Sequence, residues 1–455
     1  MLWANSTQLN GMQDEHYSSK SFRLWFFAGC LLFIAVNLIR SRSVLSNIGF
    51  YVEDASLFSH YYGKVQPLVD VARDFFGQPY KIVITKFFAW CFAYFDVRIQ
   101  PYLYLWTGFC WGTCAACCFF RSGLIRSRTV LCIGPLLVGL VGLNHVFYYN
   151  TIVYIMYTCP AVLLALFFYP APKSFFTTLL IGIAFAVFPW AGPYSAVIIP
   201  VSLLMLLLFW QSLGGRRWLL LLSCCSAFAY YLTVQGGTSK VMRLNNMWVI
   251  RAYFDALLDR VIFFDFFPRV SPWFWLLFLF LVGGSFFHFR RDAVFIKNSV
   301  LMLAIIFGSF TLFYLSSKLP VYLHPKPCHI FISLFFWCIY LLYVVDCFFQ
   351  RYGENKIAVS VFSAAVCLII LFNNRKFPET YRVAPLPTTG EYVATIHTLE
   401  QQNFDEENKY VIVRQANYQH YFCHPHVQVG SRKPDAQQIL RSDLPIFLQS
   451  KFVDP

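Results

Sequence analysis

Two adjacent carboxylates, Glu53 and Asp54, follow the first long apolar segment of the chain, within the stretch NIGFYVEDASLFSHYYGK. A carboxylate near a membrane surface can deprotonate a hydroxyl group, while nearby lysine, arginine or histidine side chains hold a leaving phosphate. This chemistry moves a sugar from a lipid-phosphate donor to an acceptor. The alternative is structural, because EDASLFSHYY also suits a helix start, where acidic residues interact favourably with the helix dipole. The pair alone leaves both interpretations open.

Several basic side chains are candidates to bind a donor phosphate on the same face. Lys86 lies in PYKIVITKFFAWCFAYFDVR, an aromatic segment whose charges make it a poor membrane span. The alternative role of Lys86 is to reach lipid headgroups from the membrane surface. His324, Lys326 and His329 lie within YLHPKPCH, at the predicted outer end of a later span. There the alternative is a simple anchor at the membrane end.

A further phosphate ligand is predicted in the aromatic and charged loop 236–271, where Arg269 is the favoured residue. The other arginines of this loop are Arg243, Arg251 and Arg260. They could bind a donor pyrophosphate or an anionic acceptor. They could equally pair with the acidic residues of the same loop, Asp255, Asp259 and Asp265. The sequence leaves these two roles open.

Composition places these residues in a membrane protein. Of 455 residues, 58% are hydrophobic and only 13% are charged, whereas about a quarter of a soluble domain is charged. Long apolar runs bounded by basic clusters recur from Phe22 to about Phe372, as in polytopic helical membrane proteins. The net charge of +14 comes from basic residues at the ends of these runs. They are typical of topology determinants and do not form a stripe that tracks nucleic acid.

The hydropathy pattern predicts an all-α protein with about eleven transmembrane helices. Basic residues concentrate in the short connections of one side, so the positive-inside rule puts the N-terminus in the cytoplasm and, with an odd number of spans, the C-terminus outside. The predicted spans lie near 22–40, 102–120, 130–147, 152–169, 174–190, 194–210, 218–235, 272–288, 294–315, 328–348 and 357–373.

Three regions follow from this topology. Residues 1–21 form a cytoplasmic tail, and 22–373 form the polytopic domain with outer loops 41–101 and 236–271. Both loops mix aromatic and charged residues, which predicts helices lying along the outer face. Residues 374–455 form a small outer segment, with a β-like stretch KYVIVRQ at Lys409–Gln415.

The positions of the charged residues bear on whether the protein is a transporter. No acidic or basic residue lies near the middle of a predicted span, whereas ion-coupled transport generally needs buried ionisable groups. A transporter or flippase of lipid-linked glycans therefore stays an alternative with little sequence support, and a non-catalytic accessory protein stays another. HYFCHPH, at His420–His426, fits no closed zinc pattern, so no metal site is predicted there.

Short motifs give the chain a resemblance to a known family. YVEDASLF resembles the W-x-E-D-x-x-x-F signature of bacterial polytopic membrane proteins regarded as glycosyltransferases of the GT-C type. Tyr51 replaces the tryptophan, while Glu53, Asp54 and Phe58 match. PYKIVITK loosely matches the family's G-Y-L-H-L-L-P-R stretch, with Lys86 in place of the arginine.

Two later segments extend the resemblance through the membrane region. FPWAGPYSAVIIPVSLL resembles the family's L-x-G-P-F-S-L-L-L-L-P-L segment. Four residues are in register: Gly192, Pro193, Ser195 and Pro200. HPKPCHIF occupies the place of a G-x-R-Y-F-F element but lacks its Arg-Tyr pair, for which Lys326 and His329 could substitute.

The resemblance implies a GT-C-like fold and an inverting sugar transfer. Family members use polyprenyl-phosphate sugars as donors, and an acidic residue of the first outer loop acts as catalytic base or helps to bind a metal. Here it implies Asp54 as base and Glu53 as its partner or as a ligand of a divalent metal. The expected setting is the bacterial inner membrane, surrounded by membrane lipids. The acceptor would be an envelope glycan or lipid on the periplasmic side, where the C-terminus would also lie.

Overall fold

The computed structural model describes most of the apolar region and short parts of the C-terminal segment. The described residues are 20–46, 54, 57, 82–95, 99–140, 150–170, 174–211, 213–234, 247–264, 272–316, 329–380, 409–415, 427–431 and 448–451.

Helices dominate the described part of the chain, and each of the predicted spans contains one. We number them in chain order: α1 Lys20–Arg40, α2 Arg42–Ser46, α3 Val83–Phe92, α4 Gln100–Cys118, α5 Arg128–Leu140, α6 Ile155–Leu166, α7 Phe175–Val187, α8 Ile198–Phe209, α9 Arg216–Val234, α10 Met247–Ala256, α11 Pro272–His288, α12 Ala293–Ser316, α13 Phe331–Tyr352 and α14 Lys356–Thr380.

Length and hydropathy identify fewer spans than the sequence predicts. Within the described ranges, four helices are long and apolar enough to cross a membrane: Ser21–Arg40, Gln100–Ser122, Ala293–Tyr314 and Phe331–Tyr352. A further pair, Phe175–Ala191 and Pro193–Phe209, passes the same test together but turns by 119° at its break. The structure therefore supports a helical membrane protein, while the count of about eleven spans and the GT-C-like arrangement stay predictions.

α13 lies inside the helix bundle, and α1 lies at its edge. Of the apolar window of α13, 72% is buried by other parts of the protein, against 22% for α1. α1 nevertheless packs closely along α5, because Gly29 lets the backbones meet: a Cβ atom there would lie 2.2 Å from the carbonyl oxygen of Leu131. Aromatic side chains fill much of the core, as expected from a chain in which 20% of residues are aromatic.

Both predicted outer loops contain helices. In the first loop, α3 buries Thr85, Lys86, Ala89 and Phe92. In the second loop, α10 continues into a single π-helical turn, Leu257–Ile262. The carbonyl of Ile262 accepts a hydrogen bond of 3.0 Å from the indole N–H of Trp337, which ties this turn to α13.

The C-terminal segment contains a small antiparallel sheet. Its strands are β1 Lys409–Gln415, β2 Val427–Ser431 and β3 Leu448–Lys451, in the order β2-β1-β3. Val411 pairs with Val429, and Val413 pairs with Ser450 on the other side of β1. The β-strand predicted at Lys409–Gln415 is confirmed.

Candidate functional site

Asp54 is almost fully buried, with 2% of its surface exposed. Its carboxylate accepts hydrogen bonds from the backbone N–H groups of Ile152 (3.1 Å) and Val153 (2.9 Å). These residues begin a short 3₁₀ helix, Ile152–Tyr154, that continues directly into α6. The first N–H groups of a helix have no partner within it and carry partial positive charge. Asp54 therefore caps a helix that lies far from it in sequence.

Thr151 occupies the N-cap position of this helix, yet its side chain does not cap it. Its backbone is extended, with φ −91° and ψ 148°, and its hydroxyl makes no capping hydrogen bond. A threonine in this position commonly accepts a hydrogen bond from the second or third N–H of the helix. Because Asp54 accepts from the first two N–H groups, the Thr151 hydroxyl is left for another partner.

Lys86 is also buried, with 3% of its surface exposed, and lies in α3, which contacts the same helix start. The preceding residue, Thr85, donates a hydrogen bond from its hydroxyl to the carbonyl of Ile152 at 3.4 Å. Ile152 thus contacts α3 through its carbonyl and Asp54 through its N–H group. A lysine that reached lipid headgroups would keep its ammonium group at the surface. The burial of Lys86 does not fit that alternative.

The segment before the helix start is held between α1 and α4. The Asn150 amide donates a hydrogen bond to the hydroxyl of Ser41 at 3.1 Å. Asn150 has a positive φ of 49°, a conformation that asparagine tolerates better than most residues. On the other side, Gly108 of α4 allows a close approach, since a Cβ there would lie 2.0 Å from the Asn150 carbonyl oxygen. Residues 150–153 are therefore fixed from both sides.

The other predicted phosphate ligands are distributed differently. His329 lies just before α13, where its ring stacks on Phe313 with 5.3 Å between ring centroids. In the second outer loop, Arg251 pairs with Asp255 at 3.6 Å. Arg260 pairs with its neighbour Asp259 at the same distance, which favours ion pairing for these two arginines. The remaining predicted residues, Glu53, His324, Lys326 and Arg269, lie outside the described residues.

A divalent metal at Glu53 and Asp54 gains no support from the described side chains. Among them, no group of three or more histidine, cysteine, aspartate or glutamate residues is arranged to hold a metal ion. Two N–H donors, which repel a cation, already face the Asp54 carboxylate. The described donors around Asp54 are those of a capped helix start, and Glu53 lies outside the described residues.

A pair of carboxylates, Asp346 and Glu354, accepts backbone N–H groups at the start of α5 and was not predicted as a site. Asp346 of α13 is 1% exposed and accepts from the N–H groups of Arg126 (2.9 Å) and Ser127 (2.6 Å). Glu354 accepts from the N–H groups of Arg128 (2.8 Å) and Thr129 (3.3 Å). The one available signal was that, between the first and last predicted spans, these acids are among the few that lie outside the two predicted outer loops. Asp346, like Asp54, is a buried carboxylate that accepts two backbone N–H groups, although it uses one oxygen for both and its donors directly precede α5.

Comparisons of the chain with protein-family models, with curated proteins and with solved structures found no match.

Proposed function

We propose that the chain is a GT-C-type glycosyltransferase of the bacterial inner membrane. It would transfer a sugar from a polyprenyl-phosphate donor to an envelope glycan or lipid-linked acceptor at the outer face. One observation carries the proposal: the carboxylate of Asp54 and the residue preceding Lys86 both contact Ile152, and both charged residues are buried. Burial of a charged group is costly unless other groups compensate for it. A functional role would account for two such residues beside one helix start.

The proposed reaction is an inverting displacement at the anomeric carbon. The acceptor hydroxyl oxygen forms the new bond while the bond from the anomeric carbon to the phosphate oxygen breaks, and Asp54 takes the hydroxyl proton. Each carboxylate oxygen has a second lone pair beyond the one used by a backbone N–H. The two N–H groups hold the carboxylate in one orientation, which favours proton transfer from a positioned hydroxyl. Lys86 would compensate the negative charge of the leaving polyprenyl phosphate.

A specific observation favours a second candidate, a non-catalytic accessory protein. Both oxygens of Asp54 accept backbone hydrogen bonds, and Asp346 makes the same kind of contact where no chemistry is proposed. In this alternative Asp54 only fixes the start of α6.

Asp346 also supplies a matched control for the experiment. Surface-glycan composition is measured by mass spectrometry in cells with the intact gene, a deletion, Asp54→Asn or Asp346→Asn, at equal amounts of membrane-inserted protein. We expect the deletion and Asp54→Asn to lose the same sugar, while Asp346→Asn keeps it. A glycan that changes on deletion but not with Asp54→Asn would exclude Asp54 as base and favour transport or an accessory role. Equal loss in both Asn variants would assign Asp54 a structural role.

A further inference from the structure

Two buried polar side chains have hydrogen-bonding groups without partners among the described residues. Asn37 of α1 is fully buried, and neither its amide oxygen nor its amide nitrogen makes a hydrogen bond within that part of the chain. The hydroxyl of Thr151, which is 3% exposed and directly precedes the helix start capped by Asp54, likewise has no partner there. An unsatisfied buried polar group costs about 1–3 kcal/mol, and native proteins keep few of them. These groups therefore call for a ligand or another compensating role.

The two side chains belong to one group of polar residues. Ser41 directly follows α1 and lies one helical turn after Asn37. Its N–H donates to the Asn37 carbonyl at 2.8 Å, so the turn continues and both side chains lie on the same side of it. The Ser41 hydroxyl accepts from the amide of Asn150, which directly precedes Thr151. We call Asn37, Ser41, Asn150 and Thr151 the polar cluster. It leads from the end of α1 to the helix start that Asp54 caps.

The chemistry of the unpartnered groups is neutral. The Asn37 amide offers donors and an acceptor, and the Thr151 hydroxyl offers one donor and acceptor lone pairs. Neighbouring hydroxyl groups of a sugar ring both donate and accept, so they match this set. A phosphate would instead need cationic or backbone N–H donors, and in the proposed reaction that role belongs to Lys86.

From this we infer that Asn37 and Thr151 bind hydroxyl groups of the sugar being transferred and so contribute to sugar specificity. The inference rests on the proposed function, and it extends the site from Asp54 to the outer end of α1. Each neutral hydrogen bond to the sugar is expected to change transfer by about tenfold.

The test removes the polar groups with little change of volume. Asn37→Leu and Thr151→Val are compared with Thr113→Val, a control at α4 whose hydroxyl is also buried without a partner. Thr151→Ser keeps the hydroxyl and serves as a rescue variant. For each, the melting temperature of the purified protein is measured in detergent. The amount of the transferred sugar in the surface glycan is measured per molecule of membrane-inserted protein.

The three substitutions that remove a polar group are expected to leave the melting temperature unchanged or to raise it, because each removes an unsatisfied group. Transfer should fall about tenfold in Asn37→Leu and Thr151→Val, and stay at the normal level in Thr113→Val and Thr151→Ser. Lower melting temperatures with normal transfer per molecule would overturn the inference and assign the groups a structural role, for example around a bound water.

The parallel Asp54→Asn measurement separates this inference from the proposed function. If Asp54→Asn abolishes transfer while Asn37→Leu and Thr151→Val keep it, the sugar-binding role is wrong and the glycosyltransferase remains. If deletion of the gene changes no sugar, the proposed function fails and the inference fails with it.

Discussion

Removal of the Asp54 carboxylate should destabilise the start of α6. Asp54→Ala leaves the N–H groups of Ile152 and Val153 without their acceptor in a buried site. Each unsatisfied group costs about 1–3 kcal/mol, so the pair costs about 2–6 kcal/mol. Asp54→Asn keeps one acceptor oxygen but turns an NH₂ group towards the other N–H, so about half of this loss is expected.

Hydrogen exchange measured by mass spectrometry gives the local readout. A peptide that covers residues 150–157 should lose protection by at least about 30-fold in Asp54→Ala, provided that these amides exchange through local opening. The peptide at the start of α5 should keep its protection, and Asp346→Ala should produce the reverse pattern. Unchanged protection of residues 150–157 in Asp54→Ala would refute the capping role of this carboxylate.

Three further substitutions test other contacts. Gly108→Ala should lower the melting temperature in detergent, because its Cβ would lie 2.0 Å from the Asn150 carbonyl oxygen; an unchanged value would contradict this close approach. Trp337→Phe should lower the free energy of unfolding by about 1 kcal/mol, because the 3.0 Å hydrogen bond to the Ile262 carbonyl disappears. Denaturant unfolding measures this change, and no loss would mean that the bond contributes little. The Glu354 carboxylate accepts backbone N–H groups at the start of α5, so Glu354→Gln should speed proteolysis there. Equal cleavage rates in the variant and the natural protein would argue against that role.

Helix positions could be predicted from the sequence because hydropathy is a local property. The segment predicted as 272–288 coincides with α11, Pro272–His288, and the first predicted span, 22–40, lies within α1, Lys20–Arg40. Which helices cross a membrane was harder to predict. α6, Ile155–Leu166, is shorter than its predicted span of 152–169. Whether a helix is long enough to cross a membrane depends on its exact ends, which a hydropathy pattern locates poorly.

The contacts of the candidate site could not be predicted, because its partners are distant in sequence. The acids of EDASLF suggested a cap for their own helix, whereas Asp54 caps one that begins 98 residues later. Lys86 was expected at a surface or at a phosphate, and its burial depends on how α3 packs. Thr151 occupies the N-cap position of that helix, yet Asp54 accepts the hydrogen bonds of its first N–H groups.

The 119° turn between Phe175–Ala191 and Pro193–Phe209 divides one apolar stretch into two helices. Such a pair is either a broken span, which crosses the membrane once, or a re-entrant loop, which returns to the face from which it came. The rings of Tyr157 and Tyr194, 4.8 Å apart, hold this turn against the first half of α6, near the helix start that Asp54 caps. A broken span and a re-entrant loop would place every later segment on opposite sides of the membrane, so the sidedness of the later helices depends on this turn.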